Sequence, residues 1–148
     1  MNQAEIFPEI DAHRLGTGLL VLAAEVHSLP ILSHQVHFAA GSRYERPGIT
    51  GISHLFEHLM FKGTDRVKPE EFARIVQAHG GTLNAFTTTD NTSYYENLPA
   101  EKLELAMDLE ADRLANLKLT AETLEPEREV VRSERKLRSV NSPFGLLI

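Results

Sequence analysis

Three side chains able to ligate a metal or move a proton fall within one short segment: His54, Glu57 and His58. On a helix turning about 100° per residue, the two histidines lie about 40° apart and Glu57 about 60° to the other side of His54, so all three share one face. Two imidazoles one turn apart can both reach a divalent ion at about 2.0 to 2.1 Å, and the carboxylate beside them can take a proton from water. The spacing is the inverted H-x-x-E-H form of a two-histidine zinc motif.

Such a motif needs a third ligand, and Glu134 is the candidate. Glu127, Val130, Val131, Glu134 and Leu137 fall on one helical stripe, which predicts two carboxylates among apolar residues. An unpaired charge there would be costly, and a zinc ion with its hydrogen-bonded surroundings compensates it better than a lone salt bridge. Glu127 reads equally as an outer partner of a ligand and as a first-turn glutamate favoured by the helix dipole. His34, His37 and His79 are expected to be structural.

The elements that must position these residues are legible from pattern. Strands are expected over His13–Leu15, Leu19–Ala24 and Ile31–Ala39, the first two joined by a glycine turn at 16–18. A loop from Gly41 to Gly51 leads to a helix over Ile52–Lys62 that stops at Gly63. A second helix starts at Pro69 and ends at Gly80–Gly81. A hairpin follows, Thr82–Thr87 with Thr92–Leu98, and then helices over Ala100–Asn116 and Pro126–Val140. This order predicts a single α+β domain spanning residues 1–148, with helices packed on one face of a mainly antiparallel sheet.

Composition narrows the function. The chain has 148 residues, 42% hydrophobic and 24% charged, which are values of a globular domain. Fifteen Lys and Arg against 21 Asp and Glu give a net charge of -6, so no nucleic-acid partner is expected. Without cysteine there is no thiolate nucleophile, and any zinc must be held by histidine and carboxylate. The longest apolar run, Leu19–Ala24, is too short for a membrane span, and the first residues lack a basic start followed by an apolar stretch. The expected location is cytoplasmic, or periplasmic or otherwise exported if a signal has been removed.

The stretch from Gly51 to Thr64, GISHLFEHLMFKGT, resembles the signature of the pitrilysin family of zinc metallopeptidases, which includes insulin-degrading enzyme and mitochondrial processing peptidase. In that family a glutamate 76 or so residues beyond the second histidine completes the zinc site, and Glu134 stands 76 beyond His58. Glu127 matches a supporting glutamate. The stretch from Gly80 to Tyr95, GGTLNAFTTTDNTSYY, resembles the hairpin whose strand pairs with an extended substrate, which implies that role for Asn84, Ala85 and Phe86. The similarity runs from about Ile10 to Gly145, with Thr17 standing where asparagine is usual.

The resemblance implies a zinc-dependent endopeptidase acting on extended or unfolded peptides. Zinc on His54, His58 and Glu134 supplies a Lewis acid and lowers the pKa of water towards about 7, and Glu57 serves as the proton-transfer residue. Because family enzymes enclose substrate between two related halves, the chain reads as an incomplete N-terminal half, expected to cleave weakly alone. A C-terminal half, a partner subunit or a homo-oligomer is expected to cover its apolar surface. The alternatives are a non-catalytic structural or partner subunit of the same fold, and a protein whose metal only supports folding.

Overall fold

The computed structural model describes residues 8–137, and the chain divides between Pro30 and Ile31 into two compact units. The first contains an antiparallel pair, β1 (Ile10–Arg14) and β2 (Leu20–Ala24), registered from Ile10 opposite Ala24 to Arg14 opposite Leu20. Its turn is closed by the Gly18 N–H donating to the Leu15 carbonyl at 2.9 Å.

The second unit carries a three-stranded antiparallel sheet in the order β3-β5-β4, with β3 at Ile31–Phe38, β4 at Thr82–Thr87 and β5 at Thr92–Pro99. Leu32, His34, Val36 and Phe38 of β3 alternate with more exposed neighbours, and register places them beside Leu98, Glu96, Tyr94 and Thr92. Period-two alternation thus gives one inward face. Onto it pack α1 (Ile52–Leu59), α2 (Glu71–Ala78) and α3 (Leu103–Asn116), closing a core of Val67, Phe72, Val76, Leu98, Ala106 and Leu109. A fourth helix, α4 (Ala121–Arg135), packs against α1. The α+β class, the antiparallel pairing and the single helical face agree with the pattern-based expectation.

Several boundaries differ, each for a local reason. α1 ends at Leu59, and the chain tightens into turns in which Phe61 and Lys62 donate to the carbonyls of His58 and Leu59. Phe61 therefore swings away from the histidine face and meets Phe72 and Tyr94, with ring centroids 6.3 and 6.0 Å away. α2 starts at Glu71 rather than Pro69, because Glu70 adopts a left-handed φ of 62°. The segment 100–102 forms a 3-10 turn ahead of α3. The last helix starts five positions before Pro126, at Ala121, because Thr120 and Thr123 form a reciprocal capping box that outweighs the bond Pro126 cannot donate. Its expected end at Val140 lies outside the described residues.

Beneath α1 lies a charged cluster inside the core. Arg113, 2% exposed, stacks over Phe61, Phe72 and Tyr94 at 5.1, 4.6 and 4.5 Å and is bonded through Nε and Nη2 to Glu110. Glu96 lies 3.8 Å from the same guanidinium and 3.2 Å from His34 Nδ1. Burial, reinforced by a hydrogen bond with Glu96, pushes the Glu110 carboxyl up to about 7. Burial also acts on Glu96, but bonding to His34 and Glu110 and the Arg113 charge hold it below its usual range.

Because Glu110 titrates above its unfolded value of 4.5, the folded chain holds the extra proton between that value and about 7. Its contribution is present at low pH and is lost as pH rises through about 7. Urea unfolding at mildly acidic and mildly alkaline pH should show the parent losing about 1 to 3 kcal/mol relative to Glu110→Gln on going alkaline. A pH-independent difference would place the proton elsewhere.

Candidate metal centre

α1 is fixed at both ends by its flanking loops. Its N-terminal N–H groups are satisfied from a distance, since the Glu45 carboxylate accepts from the Gly51 N–H at 2.7 Å and the Ser53 N–H at 2.9 Å. Burial alone would raise the Glu45 carboxyl, but these two backbone donors hold it below its usual range. Past the C-terminus, Gly63 sits at φ 91°, where a Cβ would come within 2.6 Å of the Val67 carbonyl oxygen. The following Thr64 hydroxyl donates to Asp112 of α3 at 2.5 Å, tying the turn to the core helix.

Between these anchors, His54 and His58 project from the same face with ring centroids 4.9 Å apart and planes at 83°. Their Nε2 atoms are 3.3 Å apart. Glu134, from α4, places one oxygen 3.5 Å from His54 Nε2 and the other 3.7 Å from His58 Nε2. A tetrahedral ion with bonds of about 2.0 to 2.1 Å holds its donors about 3.3 to 3.4 Å apart, so these separations fit zinc. Facing nitrogen lone pairs repel unless a proton or cation lies between them, and two imidazoles with one carboxylate form a donor set suited to zinc. Glu127 Oε2 meets His58 Nδ1 at 3.2 Å, so a proton on Nδ1 leaves Nε2 free as a donor towards the ion.

Glu57 stands apart from this trio. The Thr87 hydroxyl donates to its Oε2 at 2.5 Å, and among the described residues no hydrogen bond engages its other oxygen. Glu57 and His58 line an open cleft of about 590 Å³ together with Lys62, Glu70, Arg74, Asn84, Ala85 and Glu127. One wall of this cleft is β4, an edge strand of its sheet. Thr88 N–H donates inward to Asn91, so by alternation the Ala85 N–H points to the free edge, where among the described residues it donates only to the Asn84 side-chain oxygen, at 2.9 Å.

His54, His58, Glu134 and Glu127 are thus brought together, and Glu57, Asn84 and Ala85 share the adjoining cleft. Phe86 does not line it: the residue is 44% exposed and its ring packs on Tyr95, with centroids 6.4 Å apart. The expected burial of the α4 stripe is also corrected. Val130 is 43% and Leu137 67% exposed, and the less exposed positions are Thr123, Glu127, Val131 and Glu134, because α4 lies on the polar face of α1. His34, His37 and His79 bond to Glu96, Ser93 and the Ile75 carbonyl, and His34 also groups with Glu96 and Glu110 as a second cluster of donors able to hold a cation.

Sequence reasoning missed Lys62, Thr87 and Arg113. Helical spacing held a signal for the last, since Arg113 and Glu110 follow Ala106 and Leu109 on one stripe. No local pattern marks the other two.

The fold and site together define a class: an α+β domain with converging histidine and glutamate donors beside an open edge strand. The sequence profile of the insulinase family, peptidase family M16, matches residues 20–142, and the chain belongs to that family. It is 35% identical over 148 residues to the zinc protease PqqE of Helicobacter pylori, covering 99% of this chain and 33% of that protein. The crystal structure of a protease from Helicobacter pylori matches with a TM-score of 0.91 at 36% identity, over 95% of this chain and 34% of the other. The crystal structure of pitrilysin matches with a TM-score of 0.78 at 27% identity, over 91% of this chain and 15% of that one. The chain therefore spans about a third or less of the length of these proteins.

The Glu45 cap has a measurable consequence. Glu45→Gln should cost about 1 to 2 kcal/mol of stability near neutral pH, in the range of a charged helix cap. Since the folded-state pKa is depressed, the parent's advantage should shrink as pH falls through the carboxylate range. Chemical denaturation of both proteins at neutral and acidic pH checks both statements.

Proposed function

We propose that the chain is the metal-binding portion of a zinc endopeptidase acting on extended or unfolded peptides. The observation that carries this reading is the convergence of His54, His58 and Glu134 donors at 3.3 to 3.7 Å. These residues would hold zinc, which when bound would supply a Lewis acid for a peptide carbonyl and acidify water.

The chain's own residues supply the rest. β4 offers a free edge on which a peptide strand is held by main-chain bonds, the Ala85 N–H exchanging its Asn84 partner for a peptide carbonyl. Recognition through the backbone accepts many sequences but requires an extended chain. Phe86 serves at most from the outer face of the same strand. Glu57 lies beside that strand, held through one oxygen by Thr87, and takes the proton of the attacking water before delivering it to the leaving amine. Glu127 keeps the His58 ring oriented. In a protein of the relatives' length, the further polypeptide would complete the enclosure of substrate and exclude water.

The test separates binding from chemistry. Elemental analysis should find near one zinc per parent chain, much less in Glu134→Gln, and parental zinc in Glu57→Gln. In a family-length protein, Glu57→Gln should lower cleavage of an unstructured peptide by about 10² to 10⁴-fold, the usual worth of a proton-transfer residue. Full activity in Glu57→Gln removes that residue from the mechanism, and equal zinc in parent and Glu134→Gln removes Glu134 from the site.

A further inference from the structure

α4 presents an unusual docking problem: it carries Glu134, yet none of its described residues is buried. Its ion pairs Arg128–Glu125 and Arg132–Glu129 lie within the helix and cannot hold it to anything. The ion pairs that cross to α1 and the turn after it come from Glu134 and Glu127. Those of Glu134 go to the two histidines, so their strength depends on what lies between the imidazoles. Those of Glu127 are different. Oε1 lies 2.6 Å from Lys62 Nζ and Oε2 lies 3.2 Å from His58 Nδ1, with side-chain exposures of only 22%, 12% and 20% for Lys62, Glu127 and His58. Lys62 projects from the tight turn that Gly63 terminates, so it sits on a rigid base. Partly buried opposite charges at this distance resist solvent competition better than the exposed pairs along α4.

We propose that Lys62 is a positioning residue: its bond to Glu127 latches α4 onto α1 before metal arrives and so holds Glu134, two helical turns further on, within reach of His54 and His58. The sign of its effect separates this role from simple electrostatics. A lysine beside a dication site opposes metal binding by Coulomb repulsion, so deleting its charge would tighten zinc if that were its only influence. A latch predicts the opposite, because the metal must then also supply the ordering of α4.

The experiment uses the 148-residue chain as parent, Lys62→Met and Lys62→Arg, each stripped of metal with a chelator. Hydrogen exchange followed by mass spectrometry reads α4 in the metal-free state, and competition with a chromophoric chelator reads zinc affinity. In Lys62→Met, α4 amides should exchange about tenfold faster while β5 and α3 keep parental protection, and zinc affinity should fall about tenfold or more, as for other outer partners of a ligand. Lys62→Arg should recover most of both. Lys62→Gln serves the same comparison if the methionine variant does not fold. Parental exchange in α4, or zinc affinity equal to or tighter than the parent, overturns the proposal. Only the affinity arm rests on the zinc reading: a parent that binds no zinc defeats that reading, while the exchange arm still decides whether the latch exists.

Discussion

Helix α4 meets α1 and the turn after it with carboxylates set against imidazoles and a lysine, and the candidate metal centre depends on that contact. Four residues of separation on α1 set the two imidazoles on one side, and seven on α4 set Glu127 and Glu134 on one stripe facing them. Each stripe is unfavourable alone, since it gathers groups of like kind. Brought together they complement each other, as imidazole against carboxylate and lysine against carboxylate.

That surface chemistry is possible because α1 is held rigidly by other means. Its N-terminus is capped by Glu45 from the preceding loop, its C-terminus turns sharply at Gly63, and Phe61 pins the turn into an aromatic cage around Arg113. The buried guanidinium takes the place of an apolar filler, with three ring faces and the carboxylates of Glu110 and Glu96 as its surroundings. Such a cluster contributes little net stability over a well-packed apolar core, but losing one member would leave an uncompensated buried charge.

The other determinant is the edge of the sheet. β4 ends at Thr87, whose hydroxyl reaches Glu57, so the strand that would hold a peptide and the carboxylate that would move its protons are mechanically joined. An exposed edge strand invites unwanted pairing. Here Asn84 folds its own side chain over the outward Ala85 N–H and occupies that position. Membership of the M16 family accords with this arrangement, in which the candidate metal donors lie beside the open strand edge.

The amino-acid sequence by itself determined the chemistry-bearing face of α1 and the element order. Both follow from local periodicity, which is imposed by backbone geometry regardless of what packs on it. Glu134 was also legible, through its helical stripe and through its spacing from His58 in the motif's resemblance to a known family. What only the tertiary structure decided are the relations between residues far apart in the chain: that α4 faces α1 with Glu127 and Glu134 while Val130 and Leu137 are left outside, that Lys62 meets Glu127, that Thr87 holds Glu57, and that three rings close around Arg113. The start of α4 ahead of Pro126 is, by contrast, a local matter, since Thr120 and Thr123 of its capping box stand three residues apart. Whether a charged side chain finds a partner or stays in water depends on which surfaces the fold brings within a few ångströms, and no local pattern encodes that.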